Sequence, residues 1–561
     1  MKQKNTFSPE WINEAPVKGS FRSIFKYGNP EGFKHPNRKL YEELKQHFQL
    51  TDDDFKEKKS TGNELVDLKK RPSLSEGQIK YFISLCGAEN VSSNEYERLK
   101  FSTGKTLEEA MLLRQGKTEK ISDLVIHPRN KNEIIEIVKY CNTEKIPVYV
   151  YGGGSSVNLG FYPEKGGITL VLSTHLNKIT DFNELNQTVK VQAGMLGPDF
   201  EAALNNADKL YQAKHKYTCG HFPQSFEYSS VGGWFVTLGS GQQSSYYGDA
   251  GDLVLAVEMV SPTGTIITKD YPATATGPKI LDIIKGSEGI FGIVVELTWK
   301  IYRYMPENRQ YFSFIFPNWQ SAVDAAREIS QSEFGMPAVF RISDSEETHH
   351  GLKLYGIEDT LFDKIMSFRG FKPMQRCLFL GTADGELHFT RNIKKQVKKI
   401  CKKHGAMYLT AYPVKKWEPG RYRDPYLRED LMDFGIIIDT LETSVKWDNL
   451  HKVHEQCRAY VKSRPDTICM THASHFYPQG TNLYFIFIMK ENDRAAYLKF
   501  QRGLIEEIEK SGGSLSHHHG VGRMIRQWMP KHLGNNQIKV LEALKKHFDP
   551  ENIMNPGALI G

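Results

Sequence analysis

Three consecutive histidines stand in SLSHHHGVGR (514–523), between a serine pair and a Gly-x-Gly. Imidazoles can ligate a metal, carry protons or hold an acidic group. The run is embedded in the chain, which argues against an affinity tag. In a strand, neighbouring side chains alternate faces, so at most two of the three rings share a pocket. That expects His517 and His519 on one side, with His518 facing away or supporting them, and it disfavours a three-histidine metal site. Three glycine-rich segments offer a second chemistry. VYGGGSSVNLG (150–160) follows a strand-like run, and Gly152, Gly153, Gly154 and Gly160 would let backbone N–H groups approach a pyrophosphate without Cβ interference. The spacing is neither GxGxxG nor GxxxxGK[ST]. Gly232, Gly233, Gly239 and Gly241 recur in the segment 229–266, and Gly286, Gly289 and Gly292 in GSEGIFGIVVELTWKI (286–301). One such segment is explained by turns; three in this order imply backbone packed closely on an extended ligand.

Other residues acquire meaning only in context. Tyr484 in TNLYFIFIM reads by itself as a strand aromatic, and Arg428 in DPYLREDLMD as a solvated helix arginine. Arg341 in AVFRISD interrupts an apolar strand, where a carboxylate such as Asp344 would neutralise it. His221 in GHFPQS reads as structural. The seven cysteines are scattered without a CxxC, which argues against structural zinc or disulfides and suits a reducing compartment.

The elements that must position these groups follow from periodicity. At 561 residues two or more cores are expected. With 39% hydrophobic and 25% charged residues the composition is that of a globular protein, and a net charge of +7 is too small for a nucleic-acid binder. No apolar run reaches the roughly 20 residues of a spanning helix, and the N-terminus shows no secretory signal. Residues 1–120 are lysine-rich with helical stretches (RKLYEELKQHFQ, TLEEAMLLRQGK). From Ile121 a strand, a helix after Asn130 and the strand PVYVY form a βαβ-like unit. Short strands dominate 168–303 (ITLVLS, QTVKVQAG, LVLAVEMVS, GTIITK, IVVELTWKIYR). Beyond Pro306, strands such as YFSFIFP alternate with helices such as WQSAVDAAREISQ, and a helix at NNQIKVLEALKKHF precedes ENIMNPGALIG.

The three glycine segments and the terminal NPGALI resemble the FAD-binding domain of the vanillyl-alcohol oxidase/p-cresol methylhydroxylase superfamily. LEEAMLLRQGKTEKISDLVIHP, CGHFPQSFEYSSVGGW, MPAVFRISD, LETSVKWD and GGSLSHHHGVGRMIRQWM resemble its alkylglycerone-phosphate synthase branch, across about residues 107–530. The resemblance implies an α+β fold: an FAD-binding domain of two α+β subdomains (121–305), an α+β cap with an antiparallel sheet (306–515), an N-terminal helical extension (1–120) and a C-terminal segment (516–561) packing back. It implies FAD held by Gly152, Gly153, Gly154, Ser155, Ser156, Val157, Pro223, Ser229, Ser230, Gly232, Gly233, Thr237, Gly239, Ser240, Tyr247, Glu288, Gly289 and Ile293. YGGGSS has no histidine, so the attachment is expected to be non-covalent.

The implied activity exchanges the acyl chain of acyl-dihydroxyacetone phosphate for a fatty alcohol, without net redox change. Tyr484, His221, His517, His518 and His519 would then be catalytic, with adjacent histidines stabilising the Tyr484 phenolate, while Arg428 and Arg341 bind substrate. The alternative is an FAD-dependent oxidase or dehydrogenase of a D-2-hydroxyacid or alcohol. Members of that branch hold a divalent metal on a HxGxGNxH strand and a later glutamate. In HFYPQGTNLYF (475–485) His475 is kept but Tyr484 replaces the second histidine, and His518 replaces the glutamate, so no metal is expected. GQQSS (241–245) and THASH (471–475) depart from the synthase pattern, which carries lysines and an arginine there. Lipid substrates, a peripheral membrane contact, a homodimer and a cytoplasmic location without a peroxisomal signal complete the expectation; no nucleic-acid partner is expected.

Overall fold

Residues 7–357 and 360–560 are described in the computed structural model. Two compact units emerge, and the chain passes between them more than once. One comprises residues 17–25, 62–305 and 515–560; the other comprises 7–16, 26–61 and 306–514. The N-terminal stretch is therefore shared: 26–61 belongs with the later residues, 62–120 with the glycine segments.

The glycine-segment unit is built on two main sheets. In the first, Leu124–Ile126 and Val148–Tyr151 both run parallel to Ile168–Val171, which lies between them. The expected βαβ thus closes through an inserted strand. Its helix, Lys131–Glu144, is capped by the Asn130 side chain, which accepts the Glu133 N–H. The second sheet is antiparallel, in the order Ile179–Asn183, Thr188–Gln192, Ile293–Lys300, Val254–Ser261, Gly264–Ile267. Ile293–Lys300 is central and almost wholly buried; its Trp299 is fully buried and donates to the Cys219 carbonyl at 3.0 Å. The C-terminal residues complete the first sheet: Val148 N–H donates to Ile553 O at 2.8 Å and Asn555 N–H to Val148 O at 2.9 Å.

The other unit carries a seven-stranded antiparallel sheet: Met407–Thr410, Gln310–Phe316, Cys377–Ala383, Phe340–Ser343, Ile468–Tyr477, Gly480–Lys490, Ile436–Lys446. HFYPQGTNLYF is a hairpin within it, not one strand. The alternation is strict. Leu483, Phe485 and Phe487 point to one face and are fully buried; Asn482 and Tyr484 point to the other. At one end Tyr41, Leu44 and Phe55 pack on Ile436, Ile468 and Ile488, which explains why residues 26–61 belong here.

Replacing Trp299 by alanine removes the largest buried side chain of its sheet and orphans a carbonyl. A loss of about 3–5 kcal/mol is expected, read as a shift in the urea midpoint of the flavin-binding unit; an unchanged midpoint contradicts this packing role.

Candidate active site

The loop after Val148–Tyr151 shows what its glycines are for. A Cβ on Gly153 would lie 1.9 Å from the Tyr228 carbonyl oxygen, one on Gly152 would lie 2.1 Å from Ser230 Oγ, and Gly154 has φ +75°. The loop is thereby pressed onto 228–230. Among the described residues, the N–H groups from Gly153 to Val157 meet no hydrogen-bond acceptor. Such a run of unsatisfied donors is an anion nest suited to a pyrophosphate, so the residues fit the flavin dinucleotide. Beside it Ser230 caps the helix Val231–Val236 and accepts Gly233 N–H at 3.3 Å, Ser229 Oγ accepts the Trp234 indole N–H at 2.6 Å, and Thr237 Oγ1 donates to Gly233 O at 2.9 Å. Gly232 abuts Ala193, Gly239 comes near His221, Gly220 leaves room for the Tyr247 ring, and Ser240 donates to Asp249. Ser156 Oγ donates to Asn158; Pro223 lies in the loop after His221, and Ile293 opens the central strand. Gly289 (φ +78°) would meet nothing with an added Cβ, so its side stays open.

Glu288 is the junction of this unit. It is buried, and its carboxylate accepts Val521 N–H at 2.5 Å and Gly522 N–H at 2.7 Å, so its side chain grips the loop that follows the histidines. Asn158 Nδ2 donates to His519 O at 2.9 Å, and Asn158 O accepts Arg523 N–H at 3.1 Å. Arg523 reaches the Leu159 and Pro556 carbonyls, while Asn555 donates to Gly160 O and Glu288 O at 2.7 Å each. Asn158, Arg523 and Asn555 went unnoticed in the sequence; their only signal is adjacency to GGGSS, GVG and PG.

The histidine run is not a strand. It forms bends, curled by Ser516 Oγ accepting His519 N–H and Gly520 N–H at 3.1 Å each. The alternation argument therefore fails. All three rings are half-buried, and His518, expected to face away or to support the other two, has its Nδ1 3.0 Å from that of His517 and its ring 4.7 Å from His519. His221 is fully enclosed, its ring 4.7 Å from Trp234 and 5.9 Å from Trp299. Burial lowers it to about 3, so it is a neutral imidazole.

In the other unit, one row crosses the sheet's polar face: Glu442 opposite Tyr484, Tyr484 opposite His472, His472 opposite Ser343. The Tyr484 ring stacks on His472 (5.0 Å, 20°) and its hydroxyl lies 3.0 Å from Thr440 Oγ1. Burial, with Tyr27, Glu442 and Asp439 adding to it, outweighs the Thr440 hydrogen bond and pushes the phenol above its ordinary value. This reverses the expectation of a stabilised phenolate; burial and the Arg341 charge lower His472 below its ordinary value, against the opposing pull of Glu347. Arg341 pairs with Glu347 and not with Asp344, which caps the helix Ser345–Leu354 and binds Arg458 at 2.7 Å. Glu347 in turn lies 3.2 Å from His472 Nδ1; burial would raise it, but Arg341 and His472 bring it to about 2. Arg428 is buried rather than solvated. Glu429 holds its Nε and Nη2 at 2.9 and 2.8 Å, and the Tyr27 ring lies 5.5 Å from its guanidinium. His472, Glu347, Thr440 and Tyr27 were missed; only the alternation of THASH against TNLYF could have paired His472 with Tyr484.

This architecture is that of the FAD-linked oxidases. Residues 122–270 match the FAD binding domain, and 305–559 the C-terminal domain of FAD linked oxidases. Structures of an alkyldihydroxyacetonephosphate synthase superpose with TM-scores of 0.76 (26% identity, covering 92% of each chain) and 0.73 (28% identity, 87% of this chain and 86% of that one). The alkyldihydroxyacetonephosphate synthases of Dictyostelium discoideum and Caenorhabditis elegans are each 31% identical, over 84% and 83% of this chain and 79% and 81% of theirs. The chain belongs to the alkyldihydroxyacetonephosphate synthase family, and its cofactor is FAD.

Two outcomes are expected here. Gly153→Ala drives a methyl into the Tyr228 carbonyl, and the purified variant should carry little flavin per mole of protein by visible absorbance. Burial raises Glu288 to about 7. A carboxyl whose folded value is raised contributes stability fully present below its unfolded value of about 4.3 and lost as pH rises through about 7. The protection of the Val521 and Gly522 amides, taken relative to the intrinsic base-catalysed exchange rate at each pH, should therefore fall across that window in the wild type and stay flat in Glu288→Gln.

Proposed function

We propose that this chain exchanges the acyl chain of acyl-dihydroxyacetone phosphate for a fatty alcohol, as an FAD-dependent alkyldihydroxyacetonephosphate synthase. The observation that carries the reading is Tyr484. Its protonated phenol is set in a polar row between Glu442 and His472, where the metal-dependent hydroxyacid enzymes are expected to place a metal-binding histidine. Bound flavin supplies an electron-rich centre able to take up and release the substrate carbon. The protein's residues supply the proton handling. Tyr484 gives its proton to the departing carboxylate and recovers one from the incoming alcohol, so the balance closes without net redox change. Its proton-bearing ground state suits the first step. The Glu347–Arg341 pair fixes His472 against the tyrosine ring and so orients the phenol. Arg428, kept cationic because Glu429 outweighs its burial, provides the charge for the substrate phosphate. In the flavin unit, the nest Gly153–Val157 takes the pyrophosphate, neutral His221 positions, and His517, His518 and His519 offer exchangeable protons. With no histidine in YGGGSS, the flavin is held without a covalent bond and leaves on denaturation.

The test is aerobic incubation with acyl-dihydroxyacetone phosphate and labelled hexadecanol: labelled ether product without flavin bleaching is expected. Bleaching by D-lactate or glycolate with no ether product would favour a hydroxyacid dehydrogenase, an activity carried in name by relatives such as the D-lactate dehydrogenase of Anaerostipes hadrus (24% identical). Tyr484→Phe should lower turnover by roughly a hundredfold or more while keeping its flavin. Arg428→Met should raise KM for the phosphorylated substrate by on the order of tenfold or more; an equal effect on a phosphate-free analogue would dismiss the assignment.

A further inference from the structure

Arg428 is held in place by a distant part of the sequence. Residues 26–33, KYGNPEGF, belong to the same compact unit, and they fold around the ring of Tyr426, two positions before the arginine. Gly28 has φ +77°, and a Cβ there would lie 2.1 Å from Tyr426 Cζ; one on Gly32 would lie 2.7 Å from Cε1 of the same ring. A side chain at either position would strike the ring, so this strap is cut to Tyr426. Asn29 N–H donates to the Tyr426 hydroxyl at 2.8 Å. Gly32 N–H donates to Asn29 O at 2.8 Å and Lys26 Nζ to Gly32 O at 2.7 Å, which closes the turn. Further along, Lys34 donates to Asp424, and His35 Nδ1 lies 2.6 Å from Asp430 Oδ2. The segment carrying Arg428 is thus gripped on both sides of it.

The strap delivers one aromatic side chain to the arginine. Tyr27 is buried, its ring meets that of Tyr426 edge-on (6.2 Å, 74°), and the Arg428 guanidinium lies 5.5 Å from its centroid. Tyr27 is also near enough to Tyr484 to help push that phenol up. A ring is the partner such an arginine needs. Glu429 already supplies one counter-charge, through Nε and Nη2, and a second carboxylate would cancel the attraction for a phosphate. The face of an aromatic ring attracts a guanidinium through its quadrupole and adds no net charge. It also restricts the planar fork, on whose orientation bidentate contact with phosphate oxygens depends. The proton handling assigned to Tyr484 and the histidines makes no use of Tyr27. Its residue type, its burial and the glycine-built strap that places it all have a reason if it orients Arg428.

We infer that Tyr27 is a positioning residue that holds the Arg428 guanidinium against its ring for the substrate phosphate, which makes the strap 26–33 part of the phosphate site. The inference rests on the reading of Arg428 as the phosphate-binding cation. The test is steady-state kinetics of the full-length, flavin-loaded protein with acyl-dihydroxyacetone phosphate and with its phosphate-free analogue. Tyr27→Met keeps an apolar side chain and removes the ring. It should raise KM for the phosphorylated substrate roughly tenfold, change kcat by less than about twofold and leave KM for the analogue unchanged. Tyr27→Phe keeps the ring face and should hold KM within about twofold of wild type. In an Arg428→Met background, Tyr27→Met should add nothing further, as expected of two groups that act as one. Flavin content and melting temperature are measured for each variant. If Tyr27→Met melts well below wild type, Tyr426→Phe decides instead: it keeps every ring, removes the acceptor of the Asn29 N–H, and should raise KM for the phosphorylated substrate alone by about threefold. A ring that only fills space would give an equal effect on both substrates, or full additivity with Arg428→Met, and either result overturns the inference. If Arg428→Met is itself indifferent to the phosphate, the reading of Arg428 fails and takes this inference with it. If Arg428→Met is phosphate-selective and the deciding variant is not, only the role of Tyr27 falls.

Discussion

The Glu288 carboxylate is the contact on which the flavin-binding unit depends. It binds the N–H groups of Val521 and Gly522, residues more than two hundred positions away in sequence, and among the described residues it does so without a cationic partner in hydrogen-bonding contact. Two backbone donors in a buried setting partly offset the desolvation of the carboxyl, and burial still prevails. The geometry works only because Gly520 and Gly522 take positive φ, and because a Cβ at Gly522 would lie 2.0 Å from the Asn158 carbonyl. Glu288, the GGGSS loop and the GVG turn are therefore one construction. The histidine run owes its place to it: Asn158 holds His519 from one side, and Ser516 curls the backbone from the other.

In the second unit the corresponding constraint is the strict alternation of the hairpin 468–490. It buries Leu483, Phe485 and Phe487 on one face and delivers Tyr484 to a row with His472 and Glu442 on the other. A slip of one residue would exchange the two sets, burying the phenol among helices and exposing phenylalanines. The chemistry of Tyr484 thus rests on apolar residues that never touch it. Its proton affinity is set the same way: burial and surrounding carboxylates keep the phenol protonated, whereas the Arg341–Glu347 pair brings charge to His472, its neighbour in the row.

Much of this was legible in sequence. The main strands and helices follow from periodicity, with Asn130 marking the start of one helix, and the three glycine segments announced backbone packed on an extended ligand. The partners of the charged residues were not legible. Arg341 chose Glu347 because helix Ser345–Leu354 turns that side chain back over the strand while Asp344 caps its first turn. Arg428 was buried because Tyr27, about four hundred residues earlier, lies over it. His472 became the tyrosine's neighbour through a cross-strand register that no local pattern specifies.

The sequence by itself determined, through three glycine segments and the family they resemble, that the chain binds a flavin dinucleotide on glycine-lined loops, and through its periodicity where the main strands lie. Glycine spacing and period-two alternation are local properties, readable along the chain. Only the tertiary structure decided that SHHHG is a bend and not a strand, with His518 beside His517, and that Tyr484 keeps its proton. It alone decided that Glu288 serves the tail loop with its side chain. Each of these depends on burial and on partners distant in sequence, and burial is a property of the folded chain.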